Sequence, residues 1–466
     1  MIDLQRIEKY RENNRIEAKR ALGGLPYSVW ETYSSFANTM GGVILLGVEE
    51  LRDKSFHAVD LPNPQALIEK LWRGLNDPRR VSVNILTKKN IYVTRVQGKQ
   101  IVVVEVPRAH RADKPVYIEN NVWSGTYRRG GEGDYRCTPD EISAMRRDSA
   151  TRTQDMQLLH TMQLDALKKE SLAAYRAILH ALRPGHALER CSDHELLIQL
   201  NAAGTGEDGG LHPSAAGLLM FGRYEEILRA FPQYALSLRL DESTPAPVLE
   251  QNLFEFYHTA EAALANAFPR SKTAREAATE ALCNCIVNAD YRGIGGITVE
   301  KNDVALRFSN PGGFRINPQQ AKQGGVSDAR NRAVFHMLAL MGVGEGIGGG
   351  IPRMLRAWRD GGRPTPYFSE CFEPESTILT LPLRAGSLRE KRVPARRSLP
   401  PLAAKQLLVE YLTAVIFARA GQMSAVLGIS LSRVRQYLVE MQRDGIVIAE
   451  GTGKSTVWKL RERAGL

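Results

Sequence analysis

The segment Arg11-Glu12-Asn13-Asn14-Arg15-Ile16-Glu17-Ala18-Lys19 and the later run Ser35-Phe36-Ala37-Asn38-Thr39-Met40-Gly41-Gly42-Val43-Ile44-Leu45-Leu46-Gly47-Val48-Glu49-Glu50 decide the fold. Ile16 and Ala18 alternate with Glu17 and Lys19, which predicts a strand that buries the first pair and presents the second together. Pro26 suits a helix start, Trp30, Tyr33 and Ala37 share one helical face, and Gly41-Gly42 suits the helix end. Val43 to Val48 is an almost unbroken apolar run, the pattern of a strand buried on both faces, with Glu49 and Glu50 emerging at its end. If the two strands are neighbours, three carboxylates converge. They repel one another unless a proton or a divalent cation sits between them. Beside Lys19 such a cluster suits phosphate chemistry. The plainer alternative is a set of solvated charges at strand ends.

The wording E-x-x-x-x-E-x-K, then S-F-A-N-T-x-G-G, then an aliphatic strand closing on Gly47-Val48 and two acids resembles the Schlafen AlbA-type domain. The resemblance covers about residues 1–145, and the domain is placed at 1–150. Ile101–Val106, Lys114–Tyr117 and Tyr127–Gly130 agree with its later strands. In nuclease members three acids hold the metal. By position these are Glu12, Glu17 and Glu50, with Glu49 competing for the third place, and the implied ion is Mg²⁺ or Mn²⁺. Such an ion polarises a phosphate oxygen and lowers the pKa of an attacking water. Lys19 would neutralise charge in the transition state. Arg128 and Arg129, with Arg108 and Arg111, would hold the substrate backbone.

A chain of 466 residues suggests about three domains by size. Its net charge of +11 favours polyanionic partners. The five cysteines are odd in number and form no C-x-x-C pair, so neither structural zinc nor a disulfide framework is expected. That fits a reducing cytoplasm. The N-terminus is charged from Asp3 on, and no apolar run approaches a bilayer span, so neither a signal peptide nor a membrane partner is expected.

Residues 151–194 read as a helical connector, with a charged helical stretch from Asp155 to Leu182. Residues 195–385 form the middle module. A helix over Ala274–Asn288 sets Glu280 and Asn284 one turn apart, a pair able to bind a cation. Asp290 follows in a turn, then two strands end in Asn310-Pro311-Gly312-Gly313, and Gly342 to Gly350 is glycine-rich. Bare backbone N–H groups there can meet an anion. This module resembles the GHKL-type ATPase fold that often follows an AlbA-type domain. The resemblance implies ATP as ligand and Glu280, Asn284, Asp290, Asn310, Gly312, Gly313, Gly346 and Gly348 as its binding residues. A plain D-x-G box is lacking, which favours binding over robust hydrolysis. Residues 386–401 are a basic linker. Residues 402–466 read as a winged helix: a helix over Leu402–Phe417, a short second one, a third over Leu431–Asp444, and a hairpin over 446–459. Val434, Leu438 and Met441 face inward on the third helix, and Arg433, Arg435 and hairpin Lys454 face nucleic acid.

The expected class is therefore α/β (α+β), multi-domain, in a homo-oligomer that binds RNA or DNA. Two functions compete. One is a metal-dependent endonuclease acting on tRNA or other structured nucleic acid, suited to phage defence or stress response. The other is a DNA-binding transcriptional regulator whose first domain does not cut. Three converging carboxylates tilt the sequence reading toward the nuclease.

Overall fold

The computed structural model describes residues 15–51, 53, 55–130, 133–241, 248–316, 318–344, 348–372 and 374–384. In the C-terminal segment it describes 405, 408–409, 412, 417–418, 420, 423, 431–450 and 456–460. The fold is mixed α+β, and the chain divides into compact units at residues 1–383 and 384–466. Among the described residues no helix is long and apolar enough to cross a membrane.

The front of the first unit runs β1 (Ile16–Lys19), α1 (Ser28–Asn38), β2 (Gly42–Leu46), β3 (Val48–Glu50), β4 (Phe56–Ala58), α2 (Pro64–Leu75), β5 (Ile91–Val96), β6 (Lys99–Val106), α3 (Val122–Gly125), β7 (Tyr127–Gly130), β8 (Gly133–Arg136) and α4 (Pro139–Ser149). A four-stranded sheet has the order β1-β2-β6-β5, with β1 parallel to β2 and the other pairs antiparallel. The aliphatic run is buried on both sides, as its pattern predicts. Ile44 and Leu46 pack with Val29, Tyr33 and Phe36 of α1, while Leu45 packs with Ile16, Phe56 and Val103. The predicted single strand Val43–Val48 is broken, however. Gly47 takes φ +87, and Val48–Glu50 leave to pair with β4. Two glycines have separate tasks at the end of α1. Gly41 turns with φ +72, and a Cβ on Gly42 would strike the Phe36 ring.

Asn38 explains the S-F-A-N-T wording as architecture. Its buried amide donates to the Val116 and Tyr127 carbonyls and accepts from the Val116 N–H. One side chain thus fastens α1 to two extended segments, satisfying backbone groups that no sheet ladder reaches.

Beyond α4 come α5 (Lys169–Leu182), α6 (Asp193–Gln199), β9 (Ala203–Thr205), β10 (Leu211–Pro213), α7 (Ala215–Phe221), α8 (Tyr224–Ala230), β11 (Leu236–Arg239), α9 (Leu253–Ala267), α10 (Lys272–Asn288), β12 (Ile297–Lys301), β13 (Ala305–Pro311), α11 (Pro318–Gln323), α12 (Arg332–Leu340), α13 (Gly350–Asp360), β14 (Tyr367–Phe372) and β15 (Glu375–Pro382). The five-stranded sheet has the order β11-β12-β13-β15-β14. One core cluster extends from Met162 to Leu381. The predicted connector is therefore part of the middle domain. Within Asp155–Leu182, only Lys169–Leu182 is α-helical, and Leu172, Tyr175 and Leu179 enter that core. The Tyr175 hydroxyl donates to the Met337 carbonyl, and the Asp155 carboxylate accepts the Ala333 and Val334 N–H groups at the start of α12.

His212 is the middle residue of β10 and is fully buried. Nδ1 faces the Met162 carbonyl at 2.8 Å and Nε2 faces the Asp208 carboxylate at 2.9 Å. Both neighbours are acceptors, so a protonated ring can donate from both nitrogens. The Met162 carbonyl, then Asp208, raise its pKa above the usual histidine value of 6.5. A raised folded value stabilises fully below about pH 6.5, and that stability fades as pH rises through the folded value. The melting temperature of the wild type should fall from pH 6 to 8 more than that of His212→Gln. Parallel pH dependences would sink this assignment.

The second unit contains β16 (Phe417–Ala418), α14 (Leu431–Arg443), β17 (Val447–Glu450) and β18 (Val457–Leu460). Its sheet order is β16-β18-β17. Val434, Leu438 and Met441 are buried as predicted, with Leu408, Leu412 and Trp458. Phe417 lies in a strand, not in the predicted helix, because its backbone pairs with Lys459.

Candidate functional site

The parallel pairing of β1 and β2 sets Glu17 opposite Ile44 and Lys19 opposite Leu46. Lys19 does stand beside Glu17, but the pair is not presented to solvent. Glu17 is only 9% exposed; one carboxylate oxygen accepts from Lys19 Nζ and the other from Arg129 Nη2, each at 2.8 Å. The Arg129 side chain is 1% exposed. It also donates to Asp134 at 2.9 Å and to the Ile16 carbonyl, and it lies over the Phe36 ring at 5.2 Å. Asp134 further accepts from the Thr32 and Ser35 hydroxyls. Burial works against the Arg129 charge, yet Asp134 and Glu17 hold its pKa above the ordinary arginine value. Two acids and two bases thus form a neutral, largely buried knot joining β1, α1, β7 and β8.

The rest of the predicted acid cluster is not assembled among the described residues. Glu49 meets Arg20 at 3.3 Å near the surface, and Glu50 is the next residue along β3, opposite Phe56. Side chains alternate faces along a strand, so these two acids do not act as one pair. Glu12 lies outside the described residues. Among the described residues, no group of three or more His, Cys, Asp or Glu side chains could hold a metal ion. Both Glu17 oxygens already meet a cation, so a metal ion there would have to displace Lys19 or Arg129.

The arginines assigned to a substrate backbone are also engaged internally. Arg128 meets Glu141 of α4 at 2.7 Å. Arg108 donates to Glu370 at 2.6 Å and to the Phe314 carbonyl. Arg111 grips Asp328 and donates to the Asp148 and Ala150 carbonyls. With Arg330 on Asp148 and Arg147 on Asp290, these bonds tie the front domain to the middle one. They replace solvation by fixed carboxylates, which a phosphate would have to displace. Their partners lie far away in sequence, so no local signal marks these arginines as structural.

In the middle domain, Glu280 and Asn284 lie one turn apart on α10, as predicted. Both line a cleft of about 120 Å³ with Asn310, Gly313, Gly348 and Phe308. Asn310 is buried, its amide donating to the Pro311 carbonyl at 3.1 Å. Gly312 has φ +90, and a Cβ there would come within 2.0 Å of Arg330 Nη1, so glycine is required. Gly348, with φ +64, rests on the Val326 backbone. Gly346 lies outside the described residues. Gly312 and Asp290 do not line the cleft, and Asp290 stands furthest from the expectation. It lines a separate cavity of about 30 Å³, pairs with Arg147 at 3.0 Å and accepts from the Arg292 N–H. The reason is that α10 stops at Asn288 and the chain turns away toward α4. Burial pushes the Cys283 thiol up to about 12, so it is a neutral wall of the cleft.

Apolar walls with a few amides suit a flat, largely apolar group. The volume is below the roughly 300 Å³ of a typical ligand pocket. The sequence reading omitted one residue. Arg353, in the first turn of α13, bonds Glu280 at 2.6 Å. The signal was its place just after the glycine run. In the second unit, Arg433, Arg435 and Arg443 are exposed on α14, opposite its buried stripe, while Lys454 lies outside the described residues.

Fold and site together define a multi-domain α+β protein related to nucleic-acid handling. More particularly, the chain carries a Schlafen AlbA_2 domain and a RecG-type C-terminal domain of the GHKL-like ATPase class. Residues 12–138 match the family described as "Schlafen, AlbA_2", and 295–381 match "Putative ATP-dependent DNA helicase recG C-terminal". Residues 143–237 match a domain of unknown function. Among solved structures, a protein from Corynebacterium diphtheriae is 17% identical, covers 96% of this chain and is itself 95% covered, with a TM-score of 0.39. The N-terminal domain of a RecG-related protein from Nitrosomonas europaea is 33% identical, covers 29% of this chain and is 90% covered, with a TM-score of 0.23. Neither score is high enough to argue a shared overall fold. No curated protein gives a significant match.

Proposed function

We propose that this chain is a DNA-binding regulator. Its C-terminal unit docks on duplex DNA as a winged helix, and its AlbA_2 domain contributes without cutting. The observation that carries this reading is the distribution of charge. Residues 384–466 hold 15 Lys and Arg against 6 Asp and Glu, so nine of the eleven net positive charges sit there. Concentrated cations bind duplex DNA by releasing its counterions. Arg108, Arg111, Arg128 and Arg129, by contrast, have internal carboxylate partners. The middle cleft serves as a binding site for an adenine nucleotide, without robust hydrolysis. A homo-oligomer would set two C-terminal units on one site.

A second reading, a metal-dependent endonuclease acting on tRNA or other structured RNA in phage defence or stress response, draws support from the pairing of β1 with β2. That pairing brings Glu17 beside the strand leading to Glu49 and Glu50.

The test incubates the full chain with tRNA and with single- and double-stranded DNA, in Mn²⁺ or EDTA, and measures duplex affinity across salt concentrations. Intact substrates are expected, with affinity falling steeply with salt. Truncation to 1–383 should weaken duplex binding by roughly 100-fold or more. Cleavage in Mn²⁺ that EDTA abolishes would decide for the nuclease.

A further inference from the structure

We propose that Arg353 is a two-position side chain. In the empty protein it neutralises Glu280; on binding of a nucleoside phosphate it turns to the phosphate, and the ligand then runs from the inner cleft into a second, outer groove. The inference rests on the nucleotide reading of the cleft and adds the residue that recognises the phosphate.

The argument begins with volume. The inner cleft offers about 120 Å³, and beside it α9, α10 and α13 enclose a groove of about 1000 Å³. Glu280 and Gly344 line both, so the Glu280 side chain belongs to the shared wall. A base seated against Asn310 would fill much of that volume, and phosphates directed toward α13 would pass that wall. Arg353 closes the wall from the groove side, donating to one Glu280 oxygen at 2.6 Å. The other oxygen lies against Gly350, where a Cβ would come within 2.7 Å.

Charge then dictates the exchange. A phosphate entering beside Glu280 sets two anions together, and the cation between them decides whether both stay charged. A guanidinium forks onto phosphate oxygens as readily as onto a carboxylate. The Arg353 side chain is 45% exposed, so it can reorient through solvent without unpacking the core. Arg356, one turn further along α13, is exposed and lines the same groove, where Lys272 and Arg275 also face Glu261, Glu276 and Asp360.

The test is calorimetric titration of the full chain with adenosine, ADP and ATP in Mg²⁺, for wild type, Arg353→Met and Arg353→Lys. Adenosine should bind wild type and the Met variant equally. ADP should bind wild type about tenfold tighter than adenosine, the Met variant should lose that advantage, and the Lys variant should regain part of it. An undiminished ADP advantage in Arg353→Met overturns the role of Arg353 and leaves the cleft reading standing. Failure of adenosine and both nucleotides to bind any form overturns both. Thermal melts of the variants, expected within a degree or two of wild type for an exposed site, guard against misfolding.

Discussion

Replacing Arg129 by alanine should cost the 1–383 unit about 3–5 kcal/mol, measured by urea unfolding followed by tryptophan fluorescence. The change deletes a cation whose side chain is 1% exposed and leaves Glu17 and Asp134 facing each other's field with Lys19 alone to balance them. Water cannot take over, because Glu17 is itself buried. The loss also strips a flat guanidinium from the face of Phe36, so packing falls with charge. Arg129→Lys should recover only part of the loss, since one ammonium cannot span Glu17, Asp134 and the Ile16 carbonyl as the fork does. Glu17→Gln in the Arg129→Ala background should cost less than the sum of the single changes, because each removes part of the other's uncompensated charge. A loss under about 1 kcal/mol for Arg129→Ala would mean that the knot behaves like a surface pair.

The knot marks where sequence reading stopped. Alternation at Ile16–Lys19 does forecast a strand, and an unbroken apolar run does forecast burial on both faces, because both are local patterns. The inner face of α14 follows from 3.6-residue spacing for the same reason. Arg129 is different. Its partner Glu17 lies 112 positions away, and nothing in Tyr127-Arg128-Arg129-Gly130 reports that one arginine points inward. The alternation was visible, but which face met a carboxylate was not. The same holds for Arg108 and Arg111, whose partners at 370 and 328 belong to another domain. The break at Gly47 was missed because an apolar run has no marker for φ +87 beyond the glycine itself. Asp290 was misplaced because motif spacing fixes position along the chain, and the turn after Asn288 fixes direction.

Arg330→Met should be the second large loss, about 3–5 kcal/mol of stability, with a further loss of ligand binding in the cleft. Arg330 holds the Asp148 carboxylate with two nitrogens, at 2.9 and 2.7 Å, and donates to the Asn288 and Gly313 carbonyls. It therefore joins α4 to the end of α10 and to the Gly312-Gly313 turn, where no Cβ fits beside it. Methionine keeps much of the stem's volume and removes the fork, so the orphaned Asp148 carboxylate and two carbonyls account for most of the cost. Asp148→Asn leaves an amide that can still accept, and should cost less. The double variant should show a coupling of roughly 1–3 kcal/mol. Acid gives an independent check. Burial alone would raise the Asp148 pKa, but Arg330, and then Arg315, outweigh it and lower the value. A lowered folded pKa stabilises above the ordinary carboxylate range, and that contribution is lost as pH falls through the folded value. Wild type should thus lose stability below about pH 4, and Asp148→Asn should lose less over the same interval. Because Gly313 and Asn288 line the cleft while Asp148 sits near the end of α4, which follows the AlbA_2 match, whatever occupies the cleft pushes on bonds that α4 also holds.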